Sequence, residues 1–182
     1  MFRHLSTKDL LRLRRINSLW DVRCLSAITR VDDTIESVDK FVHLIPRMVN
    51  LTSYSMRNDH IDHTVLENLP RLQSLSYGRI EDELGVPTLS RLASLRSLCT
   101  NNRQFVDQIP TLSLLSSLTI DMISGNPLAF TVDGNLLGGL IGLRHLHLGE
   151  TVSISSVSAL TALSSLTILP FNGAFKISYD TL

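Results

Sequence analysis

Cysteine is nearly absent from this chain: Cys24 and Cys99 are the only two among 182 residues, too few for a disulfide framework. No apolar run approaches the roughly 18 residues that a membrane span requires. A signal-peptide core is missing as well, because Arg3, Lys8, Arg12, Arg14 and Arg15 interrupt the opening stretch. Together these absences imply a protein of the cytosol or nucleus that engages no membrane. Net charge is also absent, since 17 Lys and Arg balance 17 Asp and Glu. The balance is uneven along the chain: residues 1–30 carry +5 and residues 31–182 carry −5. The basic residues of the first part are interleaved with leucines at helical spacing, which reads as a solvated helix face rather than a nucleic-acid-binding arm.

Signals for catalysis are equally scarce. Serines are plentiful, but no Ser/His/Asp arrangement has motif support. Gly138 and Gly139 are not followed by the Lys-Ser/Thr pair of a phosphate-binding loop. His145 and His147 lie two apart on a strand pattern, and Asp59-His60-Ile61-Asp62-His63 is dense in ligand types, yet neither has the complete spacing of a metal site. Glu81-Asp82-Glu83 reads as an acidic turn without a partner nucleophile. The expectation is no enzyme, no metal and no cofactor, with a metal-dependent hydrolase built on these His/Asp clusters as the remote alternative.

What the chain does have is leucine at fixed intervals. Leu140, Leu143, Leu146 and Leu148 spell L-x-x-L-x-x-L-x-L. Near-copies fall at Leu69, Leu72, Leu75, Tyr77; Leu92, Leu95, Leu98, Thr100; Leu112, Leu115, Leu118, Ile120; and Leu160, Leu163, Leu166, Ile168. A weaker first copy is Ile45, Met48, Leu51, Ser53. The penultimate positions 51, 75, 98, 118, 146 and 166 are separated by 24, 23, 20, 28 and 20 residues, a period typical of solenoid repeats. The last pair in each copy alternates as a strand does, one side chain in and the next out. One repeat buries four or five apolar side chains at roughly 1.5–3 kcal/mol each, against about 1–2 kcal/mol for ordering each of some twenty residues. A lone repeat therefore loses, and only stacking yields a core.

Over residues 41–182 the pattern resembles the leucine-rich repeat family. The resemblance implies an α/β solenoid of about six irregular repeats, with a concave parallel sheet and looser turns or short helices on the convex side. The Asn or Cys that family members place after each strand is replaced by Ile80, Arg103, Ile123, Thr151 and Phe171, so the usual polar ladder is not expected. Pro46, Pro70 and Pro110 precede strands and fix the chain on entry. The long interval containing Gly125-Asn126-Pro127 and Asp133-Gly134-Asn135 reads as an enlarged convex loop. Residues 27–44 read as a turn and a short helix capped by Asp32 or Asp33, with Ile35, Val38, Val42 and Ile45 inward.

Residues 1–26 precede the repeats, which occupy 27–182. Ser6 or Thr7 caps a helix starting near Lys8, and Leu10, Leu13, Ile16 and Trp20 follow at spacings of three, three and four as one apolar face. Phe2, Leu5, Asp9-Leu10-Leu11-Arg12, Leu13, Ile16 and Trp20 resemble the C-terminal half of an F-box, without that unit's first helix. The resemblance implies docking of Leu10, Leu13, Ile16 and Trp20 on an F-box adaptor protein, and hence a substrate receptor of a cullin-RING ubiquitin ligase. An amphipathic cap on the first repeat fits the same helix equally well, and would make the chain a generic repeat scaffold.

The expected binding surface is the concave sheet face, which should engage a protein partner with the chain as a monomer. By register it carries Ser74, Ser76, Gly78 and Arg79; Ser97, Cys99, Asn101 and Asn102; Ser117, Thr119, Asp121 and Met122; and His145, His147, Gly149 and Glu150. None is aromatic, so Arg79, with Arg103 and Arg144 at the edges, are the expected hot spots.

Overall fold

The structure, a computed structural model, describes residues 5–15, 17–32, 42–59, 63–80, 87–121 and 130–168. The chain forms two compact units, Met1–Ser94 and Leu95–Leu182.

The first unit opens with α1 (Thr7–Leu13) and α2 (Ser18–Ala27). Ser6 accepts a hydrogen bond from the Asp9 backbone N–H, and the Asp9 carboxylate accepts one from the Ser6 N–H, a complete capping box. The expected continuous helix through Trp20 is therefore corrected to two helices. Asn17 is extended and its side chain accepts from the Trp20 N–H at 3.0 Å, so a second helix start is encoded where the apolar spacing alone reads straight through. Three strands follow, β1 (Arg30–Val31), β2 (Ser53–Asp59) and β3 (Ser74–Ile80), paired in parallel in chain order. Short 3₁₀ segments at Val42–Arg47, His63–Asn68 and Leu89–Arg91 lie between or after them.

The second unit contains β4 (Ser97–Thr100), β5 (Ser117–Ile120), β6 (Phe130–Val132), α3 (Gly134–Leu137), β7 (His145–Leu148), β8 (Val152–Ile154) and β9 (Ser165–Ile168). Parallel pairing runs β4–β5–β7–β9, and β6 pairs with β8 in a separate two-stranded ladder. The long interval is thus more than a loop: it carries β6 and α3, whose cap Asp133 accepts from the Asn135 N–H at 2.9 Å. The α/β class and the parallel strands agree with the reading of the sequence.

The leucine spacing has a backbone cause. Leu115 N–H donates to the Leu112 carbonyl, Leu112 to Ile109, Leu143 to Leu140, and Leu140 to Leu137. The same i→i+3 bonds join Leu72 to Leu69 to Leu66, and Leu51 to Met48 to Ile45. Side chains three apart stack on one side of such a turn, so each triplet returns an apolar residue to the core. This chain of turns begins one triplet before the L-x-x-L-x-x-L pattern, and that misplaces the weak first copy. Tyr54 pairs with Leu75, so the strand position of this copy is Tyr54 rather than Leu51, and the interval to 75 is 21 residues rather than 24. Leu51 is buried in the turn before the strand. A further triplet, Leu25, Ile28 and Val31, leads from α2 into β1, so the expected connecting segment after residue 26 contains a strand.

A second periodic feature stands just ahead of the strands. The Arg96 carbonyl accepts from both Ser116 and Ser117 N–H, the Ser116 carbonyl from Arg144 and His145, and the Arg144 carbonyl from Ser164 and Ser165. In the first unit the Thr29 carbonyl accepts from Thr52 and Ser53, and the Thr52 carbonyl from Gln73 and Ser74. The hydroxyls of Thr52, Ser116 and Ser164 add a third donor, each at 3.0 Å, to the Thr29, Arg96 and Arg144 carbonyls. These serines, which the sequence presents only as small turn residues, share in a polar ladder at the entry to the strands. Pro46 and Pro110 lie inside 3₁₀ segments rather than ending them, and 33–41, including Ile35 and Val38, fall outside the described residues.

Candidate functional site

Alternation along each strand separates two faces. In the second unit Leu98, Leu118 and Leu146 share one register row, Thr100, Ile120 and Leu148 another, and all six are buried. The opposite face holds Ser97, Ser117, His145 and Ser165 in one row and Cys99, Thr119, His147 and Thr167 in the next. These outward side chains range from half-buried to exposed. In the first unit the corresponding outward rows are Arg30, Ser53, Ser74 and then Ser55, Ser76, while Tyr54 and Tyr77 pack edge to face inside, with ring centroids 6.4 Å apart. Ser74 and Ser76 are thus where the pattern placed them, both half-buried. Arg79 lies in β3 opposite Asn58, with its side chain outside the described set, as is that of Arg103; the burial of Gly78 and the whole of Met122 lie outside it too.

Beyond the strand ends the expectations divide. Asn101 is half-buried. Asn102 is engaged locally: its side chain accepts from the Gln104 N–H at 2.8 Å and caps the 3₁₀ segment Arg103–Thr111. Asp121 continues the ladder, donating its N–H to the Thr100 carbonyl at 3.0 Å, and its side chain is exposed. Gly149 is corrected from an outward-facing position to a buried one. It donates to the Ile120 carbonyl at 2.8 Å and lies under Asp121, so that a Cβ there would overlap the Asp121 carboxylate and come within 2.9 Å of its Cα. Glu150 is exposed just past it.

Charge at the two ends of these strands differs in sign. Arg96 and Arg144 occupy equivalent positions immediately before β4 and β7, and both are exposed. Asp121 and Glu150 follow β5 and β7. None of the four forms an ion pair with another described residue. Pattern reading did not single out Arg96; aligning the residue before each strand would have found it.

At the N-terminus the structure splits the four proposed adaptor residues. Leu10 is 3% exposed and faces the core beside Leu11, Leu13 and Trp20 are half-buried, and Ile16 falls outside the described residues. The aliphatic side chains open to solvent on α2 are instead Leu19, 57% exposed, and Val22, 58% exposed. Asp21, between them, is held by Arg47 at 2.6 Å and Arg14 at 3.2 Å, and these partners, Arg47 first, pull its carboxyl below the usual range.

Among the described residues no group of three or more His, Cys, Asp or Glu is arranged to hold a metal ion. His60 and Asp62 lie outside the described residues, as does Glu81-Asp82-Glu83, and His63 enters only through the backbone of its 3₁₀ segment. Cys24 is buried, and that burial pushes its thiol pKa upward, away from reactivity. Among the described residues no helix is long and apolar enough to cross a membrane.

No family model matches the chain, and no curated protein does. Among solved structures it is similar to an internalin C2 from Listeria monocytogenes str. 4b F2365, at 16% identity over 90% of this chain and 92% of that one, with a TM-score of 0.40. With so low a TM-score, that likeness carries no weight for function.

Proposed function

We propose that the chain is a non-catalytic protein-interaction module of the leucine-rich repeat type, which binds a protein partner on the outward face of its parallel strands. The observation that carries this reading is the register itself. Short polar side chains fill the outward rows Ser97/Ser117/His145/Ser165 and Cys99/Thr119/His147/Thr167, while the intervening rows are leucine-rich and inward. Such a face offers many hydrogen-bonding groups without obstructing bulk. On this reading the chain works as a monomer in the cytosol or nucleus and needs no metal or organic cofactor. The test is site-specific photo-crosslinking from positions 119 and 147, with exposed Gln104 as control. One discrete protein captured from the strand positions and not from 104 supports the assignment; equal capture from all three removes it.

A finer form makes the chain a substrate receptor of a cullin-RING ubiquitin ligase, with α1 and α2 contacting the adaptor. It is supported by the helices-then-repeats order and by the exposed Leu19 and Val22. Because Leu10 is buried, the contact in this form passes through Leu19, Val22 and Trp20. A pull-down with purified F-box adaptor decides it: retention lost in Leu19→Asp with unchanged circular dichroism supports the receptor, and no retention leaves a repeat scaffold.

A further inference from the structure

We infer that the strand face of the second unit recognises a polypeptide whose charges are segregated, acidic at one end and basic at the other. The inference rests on the interaction reading above and adds the chemistry of the partner. Arg96 and Arg144 stand at the entry edge of the strands, and Asp121 and Glu150 at the exit edge. Between the two edges every outward strand residue is uncharged or a histidine. Asn101 comes five positions after Arg96 and Glu150 six after Arg144, which at about 3.3 Å per residue puts the two edges roughly 17–20 Å apart. Arg96 and Arg144 are two strands apart, about 10 Å, close enough to act on one acidic segment. None of the four is neutralised by another described side chain, although the first unit pairs its own charges freely. A partner with one sign of charge would gain at one edge and be repelled at the other. A partner with both signs at this spacing gains at both, and that is electrostatic complementarity acting as a selector.

The test uses a labelled peptide of two glutamates, a Gly/Ser spacer of about five residues and two lysines, followed by fluorescence anisotropy with the full chain at low salt. Peptides of alternating, all-acidic and all-basic charge serve as comparators. The segregated peptide should bind about tenfold more tightly than any comparator, and raised salt should erase the difference. Arg96→Glu with Arg144→Glu, or Asp121→Lys with Glu150→Lys, should each weaken it about tenfold. All four substitutions together should restore it, because the peptide turned end for end meets the same pattern; circular dichroism checks that each variant folds. Absence of binding, equal affinity for single-sign peptides, or failure of the fourfold exchange to restore binding overturns the inference. Thr119→Arg, in the middle of the face, separates the two levels. If it abolishes binding that the charge variants leave intact, the face is the binding surface and charge segregation is not the selector. If binding survives it, the face itself is wrong.

Discussion

In the first unit, Asp21 of α2 joins Arg14 and Arg47, Glu67 pairs with Arg91 and accepts from the Thr88 N–H, Arg30 pairs with Asp32, and Arg71 donates to Asn50. In the second, the described residues form no ion pair at all. Successive coils of the first unit are tied by side chains as well as by backbone: Arg47 reaches 26 residues back and Arg71 reaches 21. Coils of the second have no ion-pair tie among the described residues: besides leucine layers and the backbone ladder they share hydroxyl bonds such as Ser116 to the Arg96 carbonyl and Thr131 with Ser153. Exposed Leu114 stands where the first unit has Asn50 and Arg71. Exposed ion pairs contribute only about 0–1 kcal/mol each, so their absence costs the second unit little. It leaves Arg96, Arg144, Asp121 and Glu150 available to an outside partner.

If the leucine layers are the shared source of stability, removing one should be severe in either unit. Leu75→Ala and Leu118→Ala should each lose about 2–5 kcal/mol, measured by urea denaturation, since both side chains are essentially inaccessible. A loss confined to one of the two would break the comparison. Gly149→Ala comes next. Its new methyl meets the Asp121 Cα as well as the flexible carboxylate, so backbone must shift, at about 1–3 kcal/mol. Pairing it with Asp121→Gly should recover part of that loss, because the overlap with the carboxylate is then gone.

The strands and their inward rows were legible because each apolar triplet repeats a physical unit, an i→i+3 turn whose third residue returns to the core. The same regularity explains the one slip in register. Ile45, Met48, Leu51 and Tyr54 form four equivalent steps, and nothing in residue type alone says which step is the strand. The break between α1 and α2 was also written in the sequence, as Asn17, but a lone asparagine competes poorly with a clear apolar stripe. The outward rows followed from parity once the strands were placed. The burial of Gly149 depends on what lies across the ladder, which spacing along the chain does not encode, whereas the capture of Asn102 is local, a side-chain cap on the Gln104 N–H two residues on.

Asp21 sharpens the contrast between paired and unpaired charge. Its carboxyl pKa lies below the ordinary 3.8 because Arg47, and then Arg14, favours the ionised form. A group with a depressed folded-state pKa stabilises the fold above its unfolded value and loses that contribution as pH falls through the folded one. Asp21→Asn should therefore lower stability by about 1 kcal/mol at neutral pH. The gap from wild type should close as pH drops below about 4, where the unfolded carboxyl protonates. Asp121→Asn in the second unit, with no arginine partner among the described residues, should change stability at neutral pH by less than about 0.5 kcal/mol. Thermal melts of the Asp21 variant at pH 7, 4 and 2.5, and of the Asp121 variant at pH 7, check both.

The smallest expected effect concerns hydroxyls against amides as ties between coils. Asn50 donates to the Ser26 carbonyl in the last turn of α2 at 2.7 Å and accepts from Arg71 at 2.6 Å. Carbonyls in that last turn have no helical donor, so Asn50→Ala removes a partner that the backbone does not replace, at about 0.5–1.5 kcal/mol. Ser116 differs in kind. Its hydroxyl is the third donor to an Arg96 carbonyl that already accepts the Ser116 and Ser117 N–H groups at 2.8 and 3.0 Å. A carbonyl has two lone pairs, both then engaged, so Ser116→Ala should cost less than about 0.5 kcal/mol. Equal losses for the two substitutions would mean that the pre-strand hydroxyls hold the coils as firmly as the amide does, and the second unit would then be tied by side chains after all.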